Sequence, residues 1–232
     1  MRAADLDQVR SLPLFCDMAA DNFERLTGAA FLQRFPAGIT LFHEGAQPDF
    51  LHILVDGLVE IFTEQKGTTV GISLVRPVTP LILAAIVVDQ PYLNSARTLA
   101  DSRVLLLPAD RVRDVFDLDA SFARSMVREL ASAYRGAVKK LKSQMARSSA
   151  ERLANWILTE TARPEQNGSV MVPFDRATLA SHIGMTRENL SRSFTQLADH
   201  GLRVRGREMI VTDRGQLEAF ARPHPLIDDP AA

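Results

Sequence analysis

The stretch Ala180–Leu197, ASHIGMTRENLSRSFTQL, places a glycine and a threonine between two short amphipathic runs. The first run starts after Asp175, a residue suited to capping a helix N-terminus, and carries Leu179, Ala180 and Ile183 on one side. Gly184 ends it. Thr186 can cap the second helix through its side-chain oxygen, although Asn189 stands where a full capping box would have glutamate. Leu190, Phe194 and Leu197 are then expected to face inward, leaving Arg187, Glu188, Ser191 and Arg192 outward on the first two turns.

Two helices about a glycine turn fit a helix-turn-helix, whose second helix enters the major groove and reads base edges with its N-terminal residues. The residue types suit that task. Arginine can make two parallel bonds to guanine, glutamate can accept from base amino groups, and serine can approach a base edge closely. The competing reading is a merely solvated helix face. What favours DNA is the segment that follows, LRVRGREMIV, a hairpin with Arg203, Arg205 and Arg207 about Gly206. Such a wing can hold phosphates.

Upstream, the chain from about Asp119 to Met145 has no proline and one glycine, Gly136. Val127, Leu130, Tyr134, Ala137, Leu141 and Gln144 recur in steps of three and four, so this long helix is expected to pair with its own copy, or else to lie on the preceding domain. Arg135, Lys139, Lys140 and Lys142 read as its solvated flanks. A second helix, SAERLANWILTETA, should bury Leu153, Trp156, Ile157 and Thr161 on one face and end in the loop RPEQNGS. From Phe31 to Pro108 short β-type runs alternate with turn residues, with Gly38, Gly45 and Gly57 as corners, the pattern of an antiparallel sandwich or barrel. The expected organisation is α+β: a sensor β-barrel with N-terminal helices over 1–117, a dimerisation helix over 118–147, and a winged helix-turn-helix over 148–232.

The 232 residues suffice for two cores, and a hydrophobic fraction of 46% with 24% charged residues is that of an ordinary globular protein. No apolar run nears the ~18 residues of a membrane span, and no secretory signal pattern opens the chain, so a cytoplasmic location is expected. The net charge of -1 gives no global attraction to nucleic acid; binding must rest on a local patch. The single cysteine, Cys16, excludes an internal disulfide framework and a four-cysteine iron–sulfur cluster, and is expected to be a small buried hydrophobe. No nucleophile–base pair, metal-spaced cluster or glycine-rich phosphate loop marks an enzyme, and HEG at His43 lacks the second histidine of a zinc-protease helix.

The runs FPAGITLFHEGAQPDFLHILVDGLVEIF and TLASHIGMTRENLSRSFTQLADHGL together resemble the CRP/FNR superfamily of bacterial transcription factors. The resemblance implies a cyclic-nucleotide-binding-type jelly roll, a dimerisation helix, a winged helix-turn-helix, and contact with RNA polymerase. In FNR-type members a glutamate, with serine and arginine three and four positions later, reads a TTG half-site. Here those positions are Glu188, Ser191 and Arg192, implying a palindrome like TTG-N8-CAA, with Thr186, Arg187, Arg205 and Arg207 as further DNA-contacting residues.

The family's nucleotide cassette has a glycine–glutamate pair for the ribose and an arginine–serine pair for the cyclic phosphate. This chain has apolar Leu81–Val88 where the glutamate belongs, so cyclic AMP is not expected, and Arg97 is left as an anion partner or a structural arginine. The run VVDQPY instead resembles the nitric-oxide-responsive DNR/NnrR branch, which implies haem and control of denitrification genes, with His52 and His43 as axial-ligand candidates or, alternatively, hydrogen-bonded barrel residues. His182 and His200 flank the reading helix and are expected to be structural or to touch phosphate. The alternatives are an effector-independent regulator, a regulator of the same type responding to a cyclic nucleotide or other small molecule, and a small-molecule or cyclic-nucleotide binding module without a DNA role.

Overall fold

The computed structural model describes residues 3–65, 67–163 and 166–229; positions 164 and 165 of the expected RPEQNGS loop fall outside that description. Two compact units divide the chain, Met1–Tyr134 and Arg135–Ala232.

The first unit opens with α1 (Ala3–Arg10) and α2 (Ala20–Thr27). Eight strands follow: β1 (Phe31–Phe35), β2 (Thr40–Phe42), β3 (Phe50–Asp56), β4 (Val59–Gln65), β5 (Thr68–Val75), β6 (Thr79–Leu81), β7 (Ser95–Thr98) and β8 (Ser102–Pro108). They form two antiparallel four-stranded sheets, ordered β1-β8-β3-β6 and β2-β7-β4-β5, as the glycine-punctuated runs predicted. Gly57 is a corner only glycine can fill: its φ is 101° and an added Cβ would lie 2.6 Å from the Asp101 carbonyl oxygen.

Alternation along β3 sorts its side chains between two cores, because successive residues point to opposite faces of a sheet. Leu51, Ile53 and Val55 pack with the helices, against Phe15, Leu26 and Val112. Leu54 faces the other way, into a cluster with Phe42, Val59, Ile61, Leu81, Ala85, Tyr92, Ala96 and Val104 between the sheets. The helical layer includes α3 (Leu83–Val88), α4 (Ala109–Leu118) and the start of α5 (Ala120–Ala146), through Phe122 and Met126. Asp119 anchors that start. Its carboxylate accepts from the Ser121 hydroxyl, from the backbone N–H of Phe122, Ser121 and Ala19 and from the Asn22 amide, so although burial pushes its pKa up, these bonds hold it well below the usual carboxylate range.

Cys16 is exposed, contrary to the sequence expectation. In the turn after α1 the inward places are taken by Leu12, Leu14, Phe15 and Met18, leaving the thiol outside.

The second unit contains the remainder of α5, then α6 (Ser149–Thr161), β9 (Ser169–Met171), α7 (Arg176–Ile183), α8 (Arg187–Ala198), β10 (Leu202–Arg205), β11 (Glu208–Val211), α9 (Arg214–Ala221) and α10 (Pro225–Asp228). Ser148 and Glu151 close a reciprocal capping box at the start of α6. Strands β10, β11 and β9 form a small antiparallel sheet. Leu153, Ile157, Leu179, Ile183, Leu190, Leu197, Leu202, Met209 and Leu217 are buried in this unit, whereas Trp156 is only half-buried.

Candidate nucleic-acid interface

The helix-turn-helix is built by local caps. Asp175 accepts from the Thr178 N–H at 2.8 Å to start α7, and Thr186 accepts from the Asn189 N–H at 3.2 Å to start α8. Between them Gly184 adopts φ 77°, and the Gly184 and Met185 amides return to the Ser181 and Ala180 carbonyls, the paired bonds of a Schellman motif. The inward face of α8 is Leu190, Ser193 and Leu197. Phe194 is half-buried rather than central, with the Arg176 guanidinium 5.7 Å from its ring.

Thr186, Arg187, Glu188, Ser191 and Arg192 are all exposed on the first turns of α8. Hydrogen bonds from its own backbone N–H and from Thr186 hold the Glu188 carboxyl below its ordinary pKa, with Arg187 and Arg192 adding to the effect, so it is an ionised acceptor near neutral pH. The wing pairs Arg205 with Glu208 across the Gly206–Arg207 turn, and Arg203, Arg205 and Arg207 are exposed. His200 lies tilted against Phe220 at 4.6 Å and His182 meets Trp156 edge-on at 6.2 Å, and both rings are half-buried.

Three side chains grip the turn from behind. The Lys140 ammonium donates to the His182 carbonyl at 3.2 Å, the Gln144 amide donates to Ile183 at 3.2 Å, and the Arg152 guanidinium donates to Ile183 at 3.1 Å and Gly184 at 2.8 Å. Burial lowers the pKa of Lys140 and of Arg152. Lys140 is therefore not a solvated flank, and Gln144 does not extend the seam. Leu130 is half-buried, resting in part against the first unit's helical core. Val127, Tyr134, Leu141 and Met145, at steps of seven, seven and four, remain 55–80% exposed, and Ala137 is exposed beside them.

The sensor interior is apolar. Phe42 stacks on Tyr92 at 4.0 Å and lies 5.1 Å from the His52 ring, while the Tyr92 hydroxyl donates to the Phe50 carbonyl at 2.9 Å. Burial drives the His52 pKa down to about 4 against the opposing hydrogen bond to the Phe50 carbonyl, so the imidazole is neutral. Arg97 does not face this interior: it binds the buried Glu60 carboxylate at 2.7 and 2.8 Å and caps the Phe62 ring. Ser95 accepts from the Glu44 N–H and is preceded by Asn94, not arginine. Among the described residues of the sensor strands no lysine or arginine is buried, and the polar side chains buried there are His52, Glu60, Ser95, Thr98 and Ser102. Nor do these residues fit a haem. His52 is covered by the Phe42–Tyr92 stack, and His43 is exposed outside the cluster.

Sequence families align with both halves of this arrangement. The cyclic nucleotide-binding domain matches residues 32–119 and the Crp-like helix-turn-helix domain matches residues 151–220, in that order on either side of the long helix. The chain is a CRP/FNR-family transcription regulator. Regulators of this family bind DNA and dimerise. A "CRP-like cAMP-activated global transcriptional regulator" of Mycobacterium tuberculosis is 24% identical over 194 residues, covering 81% of this chain and 87% of its own. The "Transcriptional activator protein FnrA" of Stutzerimonas stutzeri is 22% identical over 189 residues, 79% of this chain and 78% of its own. The structure of FixK2 from Bradyrhizobium japonicum superposes with a TM-score of 0.72 at 19% identity, covering 82% of this chain and 96% of that one, a likeness of fold. No described helix of this CRP/FNR regulator is long and apolar enough to cross a membrane.

Proposed function

We propose that this regulator acts in the cytoplasm as a homodimer that binds an inverted repeat like TTG-N8-CAA and activates transcription through RNA polymerase. Glu188, Ser191 and Arg192 read base edges, Thr186 and Arg187 seat the helix start, and Arg205 and Arg207 hold phosphates. The observation that carries this reading is the exposed, ionised Glu188 beside Ser191 and Arg192 at the N-terminal end of a capped second helix. Val127, Leu130, Tyr134, Ala137 and Leu141 supply the self-pairing seam, with Met145 extending it. Fluorescence anisotropy on a duplex bearing the palindrome and on a scrambled duplex tests this. A preference of at least about 10³ fits specific recognition; equal affinity for the two excludes it.

The sensor, on this reading, is closed to cyclic nucleotides in their usual mode. A phosphate among Phe42, Leu54, Ile61 and Tyr92 would be buried without a counter-charge, at a cost of several kcal/mol, of order 2–7 for even an uncharged polar group. Calorimetric titration with cyclic AMP should give no heat of binding; micromolar affinity would overturn the point. A nitric-oxide response through haem, serving denitrification genes, requires the Phe42–Tyr92 stack over His52 to open. That reading predicts a Soret band in protein from haem-replete cells that moves when nitric oxide is added, and its absence removes haem from the account.

A further inference from the structure

Every helix ends with carbonyls that its own backbone cannot satisfy, and buried carbonyls need partners from elsewhere. At the end of α7 the Schellman bonds satisfy only Ala180 and Ser181. The next three carbonyls, of His182, Ile183 and Gly184, are met by side chains from two other helices: Lys140 and Gln144 of α5, four residues apart and so on one face, and Arg152 of α6. Packing here is close. A Cβ added to Gly184 would lie 2.4 Å from the Gln144 amide nitrogen. Arg152 also donates to the Arg147 carbonyl at 2.8 Å, tying the α5–α6 junction into the same cluster.

We propose that Lys140, Gln144 and Arg152 are positioning residues for DNA reading: they clamp the turn before α8 and thereby set where Glu188, Ser191 and Arg192 stand relative to the seam-bearing helix. They touch no base. Two copies of α8 can enter successive grooves of one duplex only if each is held at a fixed place on its own long helix, and this donor set is the polar fastening between α5 and the turn. The clamp rests on the DNA-reading proposal for its purpose, but its geometry can be tested without DNA.

The test uses the full chain carrying Gln144→Glu, which keeps the shape and removes the donor, or Lys140→Met, with Lys140→Arg as the donor-retaining control. Circular dichroism establishes that each variant is folded. Trp156 is the single tryptophan and lies with Lys140, Gln144 and Arg152 along one cleft, so its emission reports the clamp directly. The expected result is a shifted Trp156 emission and amide exchange at Gly184 and Met185 about three to ten times faster, the effect of losing one hydrogen bond. The ratio of palindrome to scrambled affinity should fall by a similar about three to ten times, and Lys140→Arg should restore both readouts. Folded variants with unchanged exchange, or with faster exchange but an unchanged ratio, overturn the proposal, as does a Lys140→Arg chain as defective as Lys140→Met. If the wild-type chain shows no palindrome preference, the DNA-reading proposal fails, while exchange and emission still decide the clamp.

Discussion

Replacing Gly184 by alanine probes the turn on which recognition depends. At φ 77° an L-residue costs about 1–2 kcal/mol from the clash of Cβ with the backbone. The new Cβ would also sit 2.4 Å from the Gln144 amide nitrogen and 2.9 Å from its oxygen, so that flexible side chain must withdraw and give up its bond to Ile183. That bond contributes about 0.5–1.5 kcal/mol, making the expected total about 1.5–3.5 kcal/mol. Gly206→Ala is the control. Its φ of 62° carries the same backbone penalty, but nothing lies within 4 Å of an added Cβ, so about 1–2 kcal/mol is expected there. Equilibrium unfolding in urea, followed by Trp156 emission so that only the second unit reports, gives both values. In a Gln144→Ala background the Gly184→Ala cost should drop to the backbone part alone, a coupling of about 0.5–1.5 kcal/mol. Strict additivity of the pair, or equal costs at Gly184 and Gly206, would refute the contact.

Arg192→Ala should weaken palindrome binding by about 1–3 kcal/mol while leaving scrambled binding nearly unchanged, read by anisotropy. Arg205→Ala or Arg207→Ala should instead weaken both duplexes and flatten the salt dependence by about 0.9 for each phosphate left without its arginine. Leu141→Glu, placing a charge in the exposed apolar stripe, should convert the dimer to monomer in sedimentation velocity and abolish palindrome binding at the same concentration. For His52 burial depresses the folded pKa from 6.5 to about 4, so the unfolded state binds the proton more readily. First-unit stability is then full above about pH 6.5 and falls as pH drops toward about 4, by up to roughly 3 kcal/mol, and His52→Gln should flatten that decline in pH-dependent melts.

Features written in neighbouring residues were legible. Asp175, Gly184 and Thr186 cap and break helices wherever they stand in such a run, and the Gly206 turn fixes its hairpin, so α7, α8 and the wing follow from the sequence. Features set by distant partners were not. A seven-residue repeat leaves its last position open between Gln144 and Met145, and only the nearness of Ile183, 39 residues on, decides that Gln144 turns to the helix-turn-helix. Lys140 looks like any surface lysine until His182 is beside it. Leu130 fits the seam's spacing, and its partial packing against the helical core of the first unit could not be read from that spacing. The Arg97–Glu60 pair was within reach, since alternation on β7 and β4 could have placed them opposite each other once the strands were paired. Asp119 had a local signal too, an aspartate directly before a long uninterrupted helix.

The most direct measurement is the stoichiometry and spacing dependence of DNA binding. Titrated against duplexes in which two TTG half-sites are separated by the natural spacer or by about five extra base pairs, half of a ~10-bp turn, the chain should bind the first at two copies per duplex. The added half turn rotates one half-site to the far face and should abolish cooperative binding. One copy per duplex, or the same affinity for both spacers, would contradict a paired helix presenting two reading surfaces.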